Sequence, residues 1–289
     1  MAGPSDRALS EHIRKAANRK PLPDGSTAPV IDLAGALGVS KKSGAPLDRV
    51  DIMAARNGVH TARFLRNYRA LSIKEQEVLG ESRVAVVGLG GLGGVVVEIL
   101  ARIGVGALTL IDGDRFEESN LNRQLMSTVE NLGEPKPEAA ARRVKAVNPA
   151  VKIHVHSGFV DENSVAPLLK DAAVVIDCLD RISARFALEA AAKTAGKPMI
   201  SSAVAGAAGH VATIFPQDAG LTLIYGEAGQ AADTGSEIEL GCLPQAVFLL
   251  ASVEASEAVK IILGRNDLLR NRLLLVDLSG NNFEVLQLC

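Results

Sequence analysis

The sequence predicts an α/β protein built on a doubly wound, mostly parallel sheet with an antiparallel extension and a small helical N-terminal extension. Three observations carry this. Short β-branched apolar runs alternate with segments of helical period from Arg83 onward, the runs are apolar on both faces, and a glycine-rich turn joins the first run to the first helix. Composition agrees. Aromatic residues make up 3% with no Trp, while small and aliphatic residues dominate, which suits helix-on-sheet layers better than an aromatic-rich sandwich. At 289 residues the chain has room for one large or two modest domains, and 47% hydrophobic with 22% charged residues excludes disorder for most of it.

Residues 1–60 form the extension. They hold nine Lys or Arg against six Asp or Glu, with turn signals at 21–25 and 43–46. Apolar spacing predicts helices over 9–19, around 31–37 and over 47–57. The mixed charge and the lack of interleaved aromatics favour a solvated helical cap or dimerisation arm over a nucleic-acid arm.

Residues 61–289 form the main domain. A strand at 83–87 feeds the glycine turn 88–94 and a helix through 102, and the next strand, 107–111, ends at Asp112. A polar, partly helical stretch (120–131) precedes a helix at 136–147, stopped by Asn148-Pro149. Strands at 152–156, 173–177 and 198–203 alternate with helices at 162–170 and 185–195, a Rossmann-like order. Hairpin-type strands at 211–215 and 221–224 follow, then a glycine- and acid-rich loop (226–241), an apolar helix over 245–263 and a terminal hairpin at 272–278 and 282–288.

Several classes are excluded as expectations. No stretch reaches about 18 apolar residues, so no membrane span is expected, and the polar N-terminus is not a secretory signal. A formal charge of −2 gives no reason to expect a nucleic-acid partner. Three cysteines (Cys178, Cys242, Cys289) without a C-x-x-C pair support neither a disulfide framework nor a structural zinc site. The expected setting is cytoplasmic.

The turn V-V-G-L-G-G-L-G-G places Gly88, Gly90 and Gly93 as G-x-G-x-x-G between strand and helix, where backbone N–H groups and the helix terminus can meet an anion. Asp112, at the end of the next strand, is placed to hold ribose hydroxyls. This fingerprint serves NAD and ATP alike. The following I-D-G-D-R-F-E-E-S-N-L-N-R-Q and G-E-P-K bring Asp114, Asn120, Arg123, Gln124 and Lys136 soon after it, and two cations with amides suit a triphosphate. Asp180 in V-V-I-D-C-L-D-R lies just past a strand's carboxyl end, where a carboxylate among phosphates suggests a magnesium ligand. Asp177 reads as a strand end or turn cap, and Cys178 as a small buried hydrophobe.

Taken together, GLGGLGG, DGD, SNLNRQ, GEPK and DCLD resemble the ThiF/MoeB/HesA family, bacterial relatives of ubiquitin-activating enzymes, over roughly residues 63–283. The segment R-F-L-R-N before the first strand is similar to that family's R-Y-x-R-Q. The resemblance implies a homodimeric adenylyltransferase that uses ATP and Mg2+ to activate the C-terminal Gly-Gly carboxylate of a small ubiquitin-like sulfur-carrier protein. It further implies that Gly91 and its neighbours lie against the nucleotide, Asp112 holds the ribose, and Asn120, Arg123, Gln124 and Lys136 serve the phosphates. By the same resemblance Asp180 holds magnesium, and Arg66 is an arginine finger reaching the partner subunit's phosphates.

The chain also departs from that pattern. It lacks the paired cysteines that bind zinc in many members, carries Glu237 where many have a crossover-loop cysteine, and has Arg181 in place of the usual Asn. Cys242, placed at the start of the long helix, is the candidate nucleophile, since a helix N-terminus lowers a thiol pKa. Alternative readings are a tRNA-modifying dehydratase of the same superfamily, an NAD(P)-dependent oxidoreductase and a non-catalytic carrier-binding module.

Overall fold

The computed structural model describes residues 5–159, 161–229, 233 and 235–288. Contacts divide the chain into two compact units. The first comprises Met1–Ser82 with Ala101–Ala107 and Lys145–Lys152, and the second comprises the remainder.

The first unit runs α1 (Asp6–Ala16), β1 (Asn18–Pro21), β2 (Thr27–Ile31), α2 (Leu33–Ser43), α3 (Leu47–Arg56), β3 (His60–Thr61), a 3-10 helix (Ala62–Asn67) and α4 (Ile73–Glu81). Its helices have local causes. Ser5 and Asp32 accept N-cap bonds, Gly44 closes α2 at φ 74°, and Ser72 with Glu75 forms a capping box on α4. Leu9, Ile13, Ile31, Val39, Val50 and Met53 form the core between them. The extension is helical as expected but also carries three short strands that the sequence did not suggest. β1 pairs antiparallel with β2, and β2 parallel with β3. The second predicted helix is also displaced, because Ile31 closes β2 and α2 begins at Leu33.

The second unit carries β4 (Arg83–Val87), α5 (Gly91–Ile103), β5 (Ala107–Asp112), α6 (Lys136–Val147), β6 (Lys152–Ser157), α7 (Glu162–Leu169), β7 (Val174–Asp177), α8 (Ile182–Thr194), β8 (Met199–Ala205), β9 (Ala208–Ile214), α9 (Thr222–Tyr225), α10 (Glu237–Leu240), α11 (Pro244–Ile262), β10 (Arg272–Asp277) and β11 (Asn282–Gln287). Its sheet has the order β11-β10-β9-β8-β7-β4-β5-β6. β4, β7 and β8 are parallel, and β8 through β11 are successively antiparallel. Strand order reverses between β4 and β7, where a doubly wound sheet opens its ligand crevice at the carboxyl ends.

Two further expectations change, and one holds. Residues 222–225 form α9 rather than a strand, held between Gly220 (φ 76°) and Gly226 (φ 77°). The polar stretch at 120–131 is partly helical as expected: a 3-10 helix at Glu118–Asn120 ends where it begins, and a second, Val129–Asn131, closes it. The acid-rich loop includes α10, while residues 230–232 and 234 lie outside the described residues. Among the described residues no helix is long and apolar enough to cross a membrane.

Asp51 on α3 is nearly buried and pairs with Arg63. Burial pushes its carboxyl from the usual 3.8 up to about 6, Arg63 pulling the other way and Asp48 adding like-charge repulsion. The folded chain therefore keeps this proton at pH values where the unfolded chain has lost it, and stability rises as pH falls from 7 towards 5. Urea midpoints at the two pH values should show that gain in the natural protein and lose it in Asp51→Asn.

Candidate active site

The turn after β4 forms the floor of the site. Gly88 has φ 88°, and a Cβ there would sit 2.5 Å from the Cys178 carbonyl oxygen, so no other residue fits. A Cβ on Gly93 would sit 1.8 Å from the Gly88 oxygen. The backbone is pinned from both neighbours: Gly88 N donates to Ile111 O (2.9 Å) and Cys178 N to Val87 O (2.9 Å). Asp112 adds side-chain ties, its Oδ2 accepting from Leu89 N (2.6 Å) and its Oδ1 from Asp114 N (2.7 Å).

A cleft of about 1480 Å³ opens over this floor. Gly88, Gly90, Gly91, Asp112, Asp114, Arg123, Gln124, Lys136, Asp180 and Cys242 all line it. Lys136, at the start of α6, is buried and pairs with the exposed Asp114 at 2.9 Å. Among the described residues Arg123 donates only to neutral oxygens, Ser119 O and Asn122 Oδ1, both at 3.0 Å. Gln124 is 6% exposed, and its Oε1 has no hydrogen-bond partner among the described residues. Asp180 is exposed at the rim.

Other expected residues lie elsewhere. Gly93 sits under the turn and Asn120 inside its own turn, where its Oδ1 accepts from Glu117 N at 3.1 Å. Arg66 belongs to the first unit, in the 3-10 helix at 62–67, where it is exposed. Arg181 approaches Asp233, with Nη1 3.9 Å from Oδ2.

Cys242 is corrected on one point. α11 starts at Pro244, so Cys242 is outside the helix; its backbone forms a β-bridge with Gly206, and its thiol donates to Val204 O at 3.6 Å. Burial raises its pKa, Arg123 pulls it back down in part and Glu237 adds to the rise.

Sequence reasoning missed a buried polar cluster in the cleft wall. Asp177 Oδ1 accepts from Leu179 N (3.1 Å), while its Oδ2 accepts from Ser201 Oγ (2.6 Å) and Arg185 Nη1 (3.1 Å). Arg185 Nη1 also donates to Ser202 O at 2.7 Å. Nearby Glu254 on α11 is fully buried and meets the Cys178 thiol at 3.9 Å. Burial and the Asp177 charge hold the Glu254 pKa well above the carboxylate range. His210 contacts Tyr225 Oη at 3.1 Å, and burial drives its pKa down to about 4, with Arg185 adding to the fall. The local signal was a pair of charged residues four apart, Arg185 and Glu189, set among the apolar positions of α8, where both are buried.

These features fit a nucleotide. The glycine turn is a cradle that a Cβ would fill, the Gln124 oxygen is an orphaned acceptor, and two cations have capacity for anions. Among the described residues no three His, Cys, Asp or Glu side chains converge as a cation site.

Fold and cleft thus define a nucleotide-binding α/β protein with its crevice at the sheet's switch point. The chain belongs to the ThiF family, whose sequence profile matches residues 64–288. It is 34% identical over 206 residues to the SAMP-activating enzyme E1 of Haloferax volcanii, covering 70% of this chain and 75% of that protein. It is 32% identical over 222 residues to the sulfur carrier protein adenylyltransferase of Thermus thermophilus, covering 73% and 80%. The crystal structure of Escherichia coli MccB with ATP shares the fold at a TM-score of 0.67 and 17% identity, covering 88% of this chain and 82% of that one.

The buried cluster gives a stability test. Burial favours the protonated form of Glu254, so the near-isosteric Glu254→Gln should destabilise far less than loss of a charge partner. Arg185→Met strands Asp177 as a buried charge and should cost about 3–5 kcal/mol. Urea denaturation of the two variants checks both, and a Gln variant as damaged as the Met variant would mean Glu254 is ionised.

Proposed function

We propose that the protein adenylylates the C-terminal carboxylate of a small ubiquitin-like sulfur-carrier protein, with ATP as co-substrate. The observation that carries this reading is that Arg123, Lys136 and Asp180 line one cleft with the glycine turn. Relatives named as an activating enzyme and a carrier adenylyltransferase support it. The cleft exceeds the roughly 300–1,000 Å³ of ordinary small-molecule sites, which leaves room for a nucleotide and a polypeptide tail together.

The reaction joins two anions. A carboxylate oxygen of the carrier attacks the α-phosphorus of ATP, the bond to the bridging oxygen breaks, and pyrophosphate leaves with that electron pair. No general base is required, because the carboxylate is already ionised at pH 7. The barrier is charge repulsion and alignment, which fixed cations and a preformed floor reduce. In this reading the turn's N–H groups and Lys136 hold phosphate oxygens, and Arg123 neutralises charge at the reacting phosphorus. Asp112 and Asp114 face the ribose, and Gln124 Oε1 gains its missing donor. Asn120 shapes the turn that presents Arg123 and Gln124, since its own side chain is taken up there. Arg66, exposed and without a hydrogen-bond or ion-pair partner among the described residues, serves the cleft of a second copy in a homodimer. Asp180 is the residue that would hold Mg2+, which when bound would add further neutralisation of the phosphates. The adenylylation step draws on no thiol, consistent with a Cys242 held protonated.

ATP–pyrophosphate exchange, run with a panel of ubiquitin-fold carriers ending in Gly-Gly, tests this. Arg123→Ala and Lys136→Ala should each lower kcat/KM on the order of a hundred- to a thousandfold. Exchange that survives Arg123→Ala and Asp180→Ala together would refute the assignment, and binding of NADH in preference to ATP would move the protein to the oxidoreductases.

A further inference from the structure

The segment that carries Arg66 is tied to the preceding extension on both sides. Upstream of Arg66, Arg63 Nη2 donates to Asp51 Oδ2 of α3, a pair whose side chains are only 15% and 13% exposed. Downstream, Arg69 Nη2 donates to Asp24 Oδ2 at 2.8 Å and Tyr68 Oη to the same oxygen at 3.4 Å. Asp24 is itself fixed in the turn between β1 and β2, its Oδ1 accepting from Ser26 N (3.0 Å) and Ser26 Oγ (2.6 Å). Its carboxyl is held down at about 2, chiefly by the Ser26 bonds, with Arg69 contributing, and so stays ionised at any physiological pH. The His60 and Tyr68 rings add an edge contact with centroids 5.6 Å apart.

Two further details point the same way. Arg69 has φ 74°, a left-handed conformation that disfavours a long side chain and persists only where surroundings enforce it. Between the two ties Arg66 is exposed and, among the described residues, makes no hydrogen bond or ion pair. A solvated cap would have no use for two aspartates aimed at the flanks of one free arginine.

We infer that the extension is a brace for that arginine: Asp51 and Asp24 are positioning residues that hold residues 63–69 so that Arg66 is presented at a fixed place. This rests on the role given to Arg66 above. The brace replaces chain entropy that a free segment would lose on reaching a phosphate, so its effect falls on turnover more than on ATP affinity.

The test combines amide hydrogen exchange with a mutant cycle on the full chain. In Asp24→Asn with Asp51→Asn, exchange protection of a peptide spanning 62–71 should fall. Turnover in the pyrophosphate-exchange assay with the Gly-Gly carrier panel should drop about tenfold, with KM for ATP changing less than threefold. Arg66→Ala alone should lose on the order of a hundredfold, and the aspartate substitutions should add nothing in that background. If the double variant folds poorly, Arg69→Asp breaks the second tie through like charges, and Asp24→Lys with Arg69→Asp should restore protection and turnover. Unchanged protection at 62–71, or losses that multiply fully with Arg66→Ala, would overturn the brace. Failure of the underlying reading shows separately, as absence of exchange activity in the natural protein, and the protection measurement still decides the brace in that case.

Discussion

One steric constraint organises the second unit: the backbone after β4 must pass within contact of the backbone after β7. The register that pairs Val87 with Asp177 leaves no space for a Cβ at Gly88, and the first turn of α5 closes so tightly that Gly93 faces the Gly88 carbonyl. This close approach creates the crevice, because it turns the chain sharply away from the sheet on both sides of the switch point. The donors at the α5 terminus then face open space instead of protein, which is the arrangement an anion needs.

The charges around that floor are sorted by burial. Deep in the wall the fixed charges cancel. Asp177 is matched by Arg185, burial favours the protonated Glu254, and His210 stays neutral, so the low-dielectric side of the cleft carries little excess charge. Uncompensated capacity remains at Arg123, half-buried in the cleft lining, and at the buried Gln124 oxygen. Lys136 is intermediate, since its partner Asp114 is solvated and its ion pair is weak enough to exchange for phosphate. A neutral wall behind accessible cations lets the site attract anions without the cost of holding bare charge in its interior.

Much of this was legible in the sequence because it is local. α6 occupies the predicted residues 136–147, and the β4 turn, the alternating strands and the terminal hairpin follow from periodicity and glycine placement. What escaped was non-local or small. β1 and β2 contain Pro21 and Pro29 among polar residues, a composition that strands ordinarily avoid, and only Val30 and Ile31 are buried. Residues 221–225 are apolar and β-branched, yet left-handed glycines at both ends and Glu189, which accepts from Leu221 N at 3.2 Å, fold them as a helical turn. The Cys242 environment turned on two residues. Proximity to a helix suggested a lowered pKa, but the residue lies outside the helix, and burial raises the pKa against the pull of Arg123, with Glu237 adding to the rise. Asp177, Arg185, Ser201 and Glu254 come from four elements, and no spacing rule joins them.

Gly88 and Arg69 show how position decides what a left-handed residue must be. Their φ values, 88° and 74°, are nearly the same. At Gly88 the neighbour is backbone, within 2.5 Å of any Cβ, so the side chain must be absent. At Arg69 a glycine would remove a strain on the order of 1 kcal/mol, yet it would also remove the guanidinium that reaches Asp24. The retained strain is therefore informative. A turn that needed only to change direction would be served by glycine. One that keeps an arginine there is shaped by what the side chain holds, and what it holds is the flank of Arg66.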